Sequence, residues 1–521
     1  MQHYITEFAS QQRALHWSRI LRSPALWLAL LAAQYTLVQL ALNVQYGDGP
    51  RNLHWALVVA ENPAFLIGDV DVYDHINGFV PDPPALAPQR RANNSTSSYN
   101  VLWGPTPMLL LAPVWWLSGS RVALALVVPI VGGATVIACY RLGRRLFDQR
   151  SALAASIFLA FFPLFFERSV VSYAEPISAL FLLLALSAYL RGRTALTVLF
   201  GSLTVLCKIN MGPIYCGVIG CSLLYRLYRR RDAGSVRRSL IALILPALAL
   251  MGWYWLRTGS PLPTTGSSLS LYVLRRQSLD MLQMLFYIPW YGAILTLIVI
   301  GVCAAYGLSA LPRAGEERVI LLSWIGFGIL ALVVYMATTG MDNSPRALLP
   351  SIPALALLVG AGWARLSEAW ARRVAIYLVG LFLVVNCFIS YYGWEYGRFL
   401  ETFQGAWQVL REQPRGLVLT ATCWPTVFQT RQPVTWFESD RQFEENILYD
   451  RENFIRYTRA YNIRYVLVPR EGTAAAIAEP FIQVDTARLY GDEVLAYLRG
   501  SAQDIPVPPY YDLYVLPQSR L

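Results

Sequence analysis

Five ionisable side chains stand where apolar stretches of the chain end, and their types suit group transfer from a phosphate. Asp48 lies in "VQYGDGPRNLHWAL", Glu175 in "ERSVVSYAEPIS", Lys208 in "LTVLCKINMGP", Arg257 in "WYWLRTGSPLP" and Arg346 in "MDNSPRALLPSIPAL". Gly49 and Pro50 follow Asp48 and favour a turn that presents its carboxylate outward. A carboxylate so placed can take the proton of an attacking hydroxyl. Cations at the same boundary can hold an anion and stabilise a departing phosphate. Lys208 is the single lysine among 43 Lys+Arg residues. Lysine is a compact, strongly hydrated point charge, well suited to phosphate. Each residue also has a plainer reading. Asp48 can cap a helix that starts near Arg51, Glu175 before Pro176 is a good helix-start acid, and Arg346 can anchor a helix end by snorkelling.

The elements that must position these groups are membrane helices. Of 521 residues, 55% are hydrophobic and only 14% charged, which excludes an ordinary soluble domain. A crossing takes about 20 apolar residues. Candidate crossings are Pro24–Val44, Val122–Tyr140, Ser151–Phe166, Pro176–Leu190, Thr194–Cys207, Ile209–Tyr225, Leu240–Leu256, Gln283–Leu308, Val319–Thr338, Ala347–Ala364 and Val374–Tyr392, about eleven in all. The start, Met1–Arg22, is polar and amphipathic, so the first run reads as a retained anchor. The seven cysteines show neither a disulfide framework nor a CxxC pattern.

Charge decides the topology. With the N-terminus inside, the segments assigned to the cytoplasm hold 20 arginines against 6 acidic residues. That is the expected positive-inside bias. A twelfth apolar run, Val101–Leu117, carries three prolines and three tryptophans. If it crossed, five Arg-rich loops downstream would move outside, so it is predicted to be an interfacial or re-entrant helix on the outer face. The net charge of +11 is then membrane topology and not a nucleic-acid surface. A first loop, 45–100, and a soluble region, 393–521, lie outside on this reading, and 1–392 forms the membrane module. In the soluble region "GLVLTAT", "IRYVLVP" and "YDLYVL" read as buried strands, and "FEENILYDRENFIRYTRAYN" reads as helix. The fold class is an α-helical polytopic membrane protein with a small C-terminal α/β domain.

From Leu40 to the C-terminus, the order of features resembles the GT-C superfamily of polyprenyl-phosphate-sugar glycosyltransferases, such as protein O-mannosyltransferases, arabinosyltransferases and aminoarabinose transferases. The matching pieces are "YGDGPRNLHWAL", "SYNVLWGPTPMLLLAPVWWLSG", "FFERSVVSYAEPISALF", "LTVLCKINMGP", "GWYWLRTGSPLPT" and "RALLPSIPALALLVGAGW". The resemblance implies a GT-C fold, inversion at the anomeric carbon and an active site outside the cytoplasm. It makes Asp48 the general base. Lys208, Arg257, Arg346 and Tyr173 become ligands of the donor phosphate, with Glu175, His75 and Arg51 auxiliary. The implied partners are a polyprenyl-phosphate sugar, a glycan, lipid or protein acceptor, and membrane lipids.

The chain also departs from that pattern. Aminoarabinose-transferase relatives carry a Glu-Lys pair beside the Pro-rich outer segment, where this chain reads "SSYNVLWGP" without a charge. The first loop instead has "GDVDVYDHINGF", in which Asp69, Asp71, Asp74 and His75 could hold a divalent cation. Loop acids at this density are also commonly just solvated. Heavy use of arginine suits a GC-rich genome and hence a bacterial plasma membrane. Two other functions remain open at this point, a transporter or flippase for a lipid-linked sugar and a scaffold acting through 393–521. Transporters tend to place ionisable groups near the bilayer midplane, whereas here they gather at one boundary.

Overall fold

The computed structural model describes residues 23–43, 48–66, 104–258 (without 209), 281–339 (without 282 and 313–314), 344–420, 423–434, 448–470 (without 461), 490–507 and 510–517. Within these, the chain runs through α1 (Pro24–Leu42), α2 (Asp48–Glu61), α3 (Thr106–Ser118), α4 (Arg121–Leu146), α5 (Gln149–Phe161), α6 (Pro163–Val170), α7 (Glu175–Leu190), α8 (Thr194–Val205) and α9 (Met211–Tyr228). It continues with α10 (Ala233–Thr258), α11 (Trp290–Ser309), α12 (Glu316–Thr339), a 3-10 helix (Ser344–Ser351), α13 (Ile352–Trp363) and α14 (Glu368–Thr402).

Each of the eleven predicted crossings overlaps helix, although Ser151–Phe166 falls on two, α5 and α6, and Ala347–Ala364 on the 3-10 helix and α13. Seven described helices are long and apolar enough to cross a membrane, and the pair α5 and α6, bent by 63°, counts as an eighth. Helices α7, α8 and α9 have 16, 12 and 18 residues. The first two are too short to span about 30 Å of hydrocarbon at about 1.5 Å per residue. They are held by other helices: Leu182, Leu183, Ala185 and Leu186 of α7 are fully buried. Helix α3, with 13 residues, is also too short to cross. It packs on α2 and leaves Trp116 and Leu117 about three-quarters exposed, as an interfacial helix does.

Side chains too small to separate backbones draw the bundle together. Helix α13 lies between α5 and α11, where a Cβ on Gly360 would overlap Ala155 and one on Gly362 would overlap the Cys303 carbonyl. Close approach through small residues is the usual packing of helices in lipid. Large apolar residues such as Trp255, Leu256, Tyr291, Ile298 and Phe388 stay exposed on α10, α11 and α14, the faces that lipid would cover.

Helix α14, 35 residues long, passes through position 392/393 without a break. After α15 (Gln404–Glu412) come β1 (Leu417–Leu419), α16 (Cys423–Thr430), α17 (Arg451–Ala460), β2 (Ile463–Pro469), α18 (Asp492–Ser501), β3 (Gln503–Val507) and β4 (Tyr511–Val515). The sheet order is β1-β2-β4-β3, with β1 and β2 parallel and the other pairs antiparallel. Alternation sends Val418, Tyr465 and Leu513 into the core shared with the bundle. Leu417, Leu419, Val466 and Tyr514 join a separate small core with α17 and α18. The three predicted strands are β1, β2 and β4. Strand β3 was not expected, because Pro506 and its exposed, polar N-terminal half hide the strand pattern.

Candidate functional site

The break between α5 and α6 builds the first wall of the site. Pro163 has no N–H to give and opens α6 as its first residue. The short helix then presents Glu167 and Arg168, both nearly buried. The chain turns back through Ser172, whose φ of 66° is left-handed and costly for a residue with a Cβ. Its hydroxyl donates to the Ala125 carbonyl at 3.2 Å. Three residues later Glu175 opens α7, where the helix dipole favours a carboxylate.

Lys208 comes from the turn between α8 and α9. Its Nζ donates to Glu175 Oε1 at 2.7 Å, and the two side chains are 5% and 1% exposed. Arg346, from the 3-10 helix, places Nε 4.0 Å from the same oxygen. Alongside, Arg168 Nε lies 2.8 Å from Glu167 Oε2, and its guanidinium sits 4.1 Å from the centre of the Tyr173 ring. Tyr287 donates its hydroxyl to Glu167 Oε2 at 2.6 Å from a backbone with φ 55°. Arg168 is also within electrostatic range of Glu175, which makes this one cluster. Among the described side chains, two carboxylates meet three cations, a surplus of one positive charge, and all five are nearly buried.

Two glycines seat the neighbouring segments. A Cβ on Gly49 would overlap the Val171 carbonyl, and Asn52 Nδ2 donates to the Ser172 carbonyl at 3.2 Å. The first turn of α2 therefore lies against Val171 and Ser172 in the turn that leads to Tyr173 and Glu175. A Cβ on Gly104 would overlap the Leu206 carbonyl. Gly104 N donates to the Cys207 carbonyl at 3.2 Å and Thr106 N to the Leu206 carbonyl at 3.1 Å. The start of α3 is thus clipped to the turn that carries Lys208.

The structure brings Tyr173, Glu175, Lys208 and Arg346 together, and Gly49, the residue after Asp48, packs on Val171 two residues before Tyr173. Arg51 is buried in α2, with its guanidinium 5.2 Å from the Trp55 ring centre. Arg257 falls in the last turn of α10. Ser235, near that helix's start, is bonded by Arg226 at the opposite end of the bundle, so about 39 Å of helix carries Arg257 to the site's end. The side chains of Asp48 and Arg257 lie outside what is described, as do Asp69, Asp71, Asp74 and His75 altogether. Sequence reasoning passed over Glu167, Arg168 and Tyr287. The adjacent acid and base inside the apolar "PLFFERSVV" were the available signal for the first two.

No protein-family model matches the chain, and no curated protein sequence matches it significantly. Solved structures do. The ArnT of Cupriavidus metallidurans in its apo state matches with a TM-score of 0.60 at 14% identity, over 94% of this chain and 97% of that one. The same protein bound to undecaprenyl phosphate gives 0.57 at 15% identity over the same shares. The oligosaccharyltransferase AglB of Archaeoglobus fulgidus, in complex with an inhibitory peptide and a dolichol-phosphate, gives 0.51 at 11% identity over 95% of this chain and 74% of that one. The fold is therefore the one the resemblance implied, the GT-C fold of integral membrane glycosyltransferases with a small C-terminal α/β region.

Proposed function

We propose that this protein is an inverting glycosyltransferase that moves one sugar from a polyprenyl-phosphate donor to an acceptor hydroxyl at the outer face of a bacterial plasma membrane. The observation that carries the reading is the buried cluster with one surplus positive charge, seated against the first turn of α2. A phosphodiester donor brings one negative charge and leaves as a monoester with a second. Developing charge of that kind is stabilised by preorganised cations in a dry site. Asp48 takes the proton of the acceptor hydroxyl. The acceptor oxygen bonds to the anomeric carbon from the face opposite the phosphate, and the bond from carbon to phosphate oxygen breaks. Arg346, Arg168 and Lys208 meet the departing phosphate, joined by Arg257 and Tyr173. Glu175 holds Lys208 in place. A hexose or a pentose fits this scheme equally, and the acceptor is a cell-envelope glycan, a lipid or a protein.

The neighbours that bind undecaprenyl phosphate and dolichol-phosphate support a lipid-phosphate ligand for this fold. The test is transfer in isolated membranes. Labelled polyprenyl-phosphate mannose and polyprenyl-phosphate arabinose are offered in parallel with native envelope acceptors. Wild type is expected to use one donor, and Asp48→Asn to lose at least about 100-fold, the lower end of base catalysis. Equal rates in both proteins would remove Asp48 from the mechanism. Saturable movement of the donor across vesicles with no glycoside formed would favour a flippase.

A further inference from the structure

At the end of the bundle opposite the candidate site lies a cavity of about 280 Å³, between the last turn of α7, the start of α8 and the first turns of α10. Tyr189, Arg191, Thr194, Thr197, Arg226 and Arg238 line it. Its floor is rigid. Arg226 Nε is 2.7 Å from Glu316 Oε1, and its Nη1 donates to the Ser235 carbonyl at 3.1 Å and to Ser239 Oγ at 3.0 Å. The guanidinium sits 4.6 Å from the centre of the Tyr189 ring, and the Tyr189 hydroxyl is bonded to Ser222 Oγ and Ser239 Oγ, each at 2.8 Å. Ser222 completes the loop by donating to Glu316 Oε1 at 2.6 Å.

Arg191 and Arg238 reach the same recess from its rim. Among the described residues neither forms an ion pair. Of the acids nearby, Glu316 is committed to Arg226 and Ser222 and Asp232 to the Ser235 amide at 2.7 Å, while Glu317 faces Arg145 electrostatically. Arg145 adds a further cation beside them, donating to the Leu190 carbonyl. The backbone accommodates this crowding. Gly192 has φ 69°, and Arg238 Nη1 lies 3.1 Å from where a Cβ on Gly192 would stand.

The positive-inside bias accounts for the number of arginines in these loops. It does not account for three of them lining one small recess, Arg191 and Arg238 from its exposed rim and Arg226 from its partly buried floor. Like charges brought together repel unless an anion sits among them. Arginine donors around a small space, here beside Thr194, are the chemistry that recognises phosphate, the Tyr189 and Thr197 hydroxyls being engaged by Ser222 and Ser239 and by the Arg193 carbonyl. The volume is just below the roughly 300–1,000 Å³ typical of pockets for drug-sized ligands, which suits a phosphate carrying a small polar substituent.

We propose that this recess is a second phosphate-binding site, separate from the candidate active site, that takes the phosphate of an anionic lipid headgroup or of a small soluble phosphate ester. The full-length protein in a nonionic detergent would be titrated with four probes: dihexanoyl phosphatidylglycerol, glycerol 3-phosphate, inorganic phosphate and dihexanoyl phosphatidylcholine. Wild type would be compared with Arg191→Gln/Arg238→Gln, whose altered side chains are exposed and leave the buried floor intact. Phosphatidylglycerol is expected to bind at least about tenfold more weakly to the double variant, with the difference shrinking at high salt. If glycerol 3-phosphate and inorganic phosphate show the same dependence on the two arginines, the site serves a soluble ester. If only phosphatidylglycerol does, it serves the leaflet at that end. Gly192→Ala, which displaces Arg238 without removing charge, is expected to weaken the same probe by a smaller factor. Equal binding of every probe to wild type and double variant, no binding to either, or phosphatidylcholine binding as well as phosphatidylglycerol would each overturn the proposal.

Discussion

Replacing Lys208 by methionine tests whether the one lysine is held structurally by its partner. The ion pair is short, at 2.7 Å, and its side chains are 5% and 1% exposed, so solvent screens little of it. Removing one member of a buried pair typically costs about 3–5 kcal/mol, because the other charge is left uncompensated. Arg346 Nε remains 4.0 Å from the same Glu175 oxygen and recovers part of that loss. The expected destabilisation is therefore near the lower end, about 3 kcal/mol. Adding Glu175→Leu removes the stranded carboxylate, and apolar replacement of a buried pair is often close to neutral. The double variant should therefore return to within about 1 kcal/mol of wild type. Unfolding by SDS in mixed micelles, followed by tryptophan fluorescence, reads the three free energies. If Lys208→Met is as stable as wild type, or the double variant is no better than the single, the coupling inferred from the geometry is wrong. A stable but inactive double variant would assign the pair to substrate as well as to structure.

Four further outcomes are expected. Gly49→Ala pushes a Cβ into the Val171 carbonyl and should shift the start of α2, lowering sugar transfer by roughly 100-fold, on the scale of a misplaced catalytic group. Gly252→Ala, with nothing near its Cβ position, should leave transfer unchanged in the same assay. His54 in α2 is held neutral, its pKa pushed down to about 3 first by burial and then by Arg431, Arg121 and Arg415. Its folded-state value lies below its unfolded one, so its contribution to stability is complete above about pH 6.5. It is lost at about 1.4 kcal/mol per unit as pH falls toward 3. The difference between wild type and His54→Phe in thermal stability should therefore slope below pH 6.5, and a flat difference from pH 7 to 5 would refute this. Tyr287→Phe removes a hydrogen bond to the Glu167 carboxylate and should cost about 1–2 kcal/mol in SDS unfolding. Unchanged stability would mean that water replaces the hydroxyl at this partly exposed tyrosine.

The helices were legible in the sequence because lipid imposes one rule, a long apolar run for every crossing. The exceptions show where that rule stops. Helices α7 and α8 were read as crossings from apolar character alone, yet their shortness matters because surrounding helices, not lipid, cover much of α7. The run Ser151–Phe166 was read as one crossing, although Pro163 inside it ends α5 and bends the chain by 63°. That bend turns "FFERS" from the tail of a helix into a wall of the site. The types of the site residues were also legible, since a charge beside an apolar run needs a reason. Their partners were not. Glu175 opens α7 and Lys208 stands 33 positions on, in the turn between α8 and α9, and Glu167 meets Tyr287 across 120 positions. No local pattern encodes such a contact. The overlap between Gly49 and the Val171 carbonyl was hidden for the same reason, because "GDGP" reads as a turn wherever it occurs.

The pairing also changes the account of why position 208 holds lysine. From sequence, a lone lysine among arginines suggested a cation waiting for phosphate. In the structure its charge is already met by Glu175, and Arg346 approaches the same carboxylate oxygen from 4.0 Å. A single ammonium on a thin stem makes the short bond and leaves Arg346 at longer range. The surplus positive charge thus belongs to the cluster and not to Lys208 alone. Arg346 Nε stands 4.0 Å from the carboxylate oxygen that Lys208 meets at 2.7 Å, so Lys208 holds Glu175 at close range and Arg346 shares it at longer range.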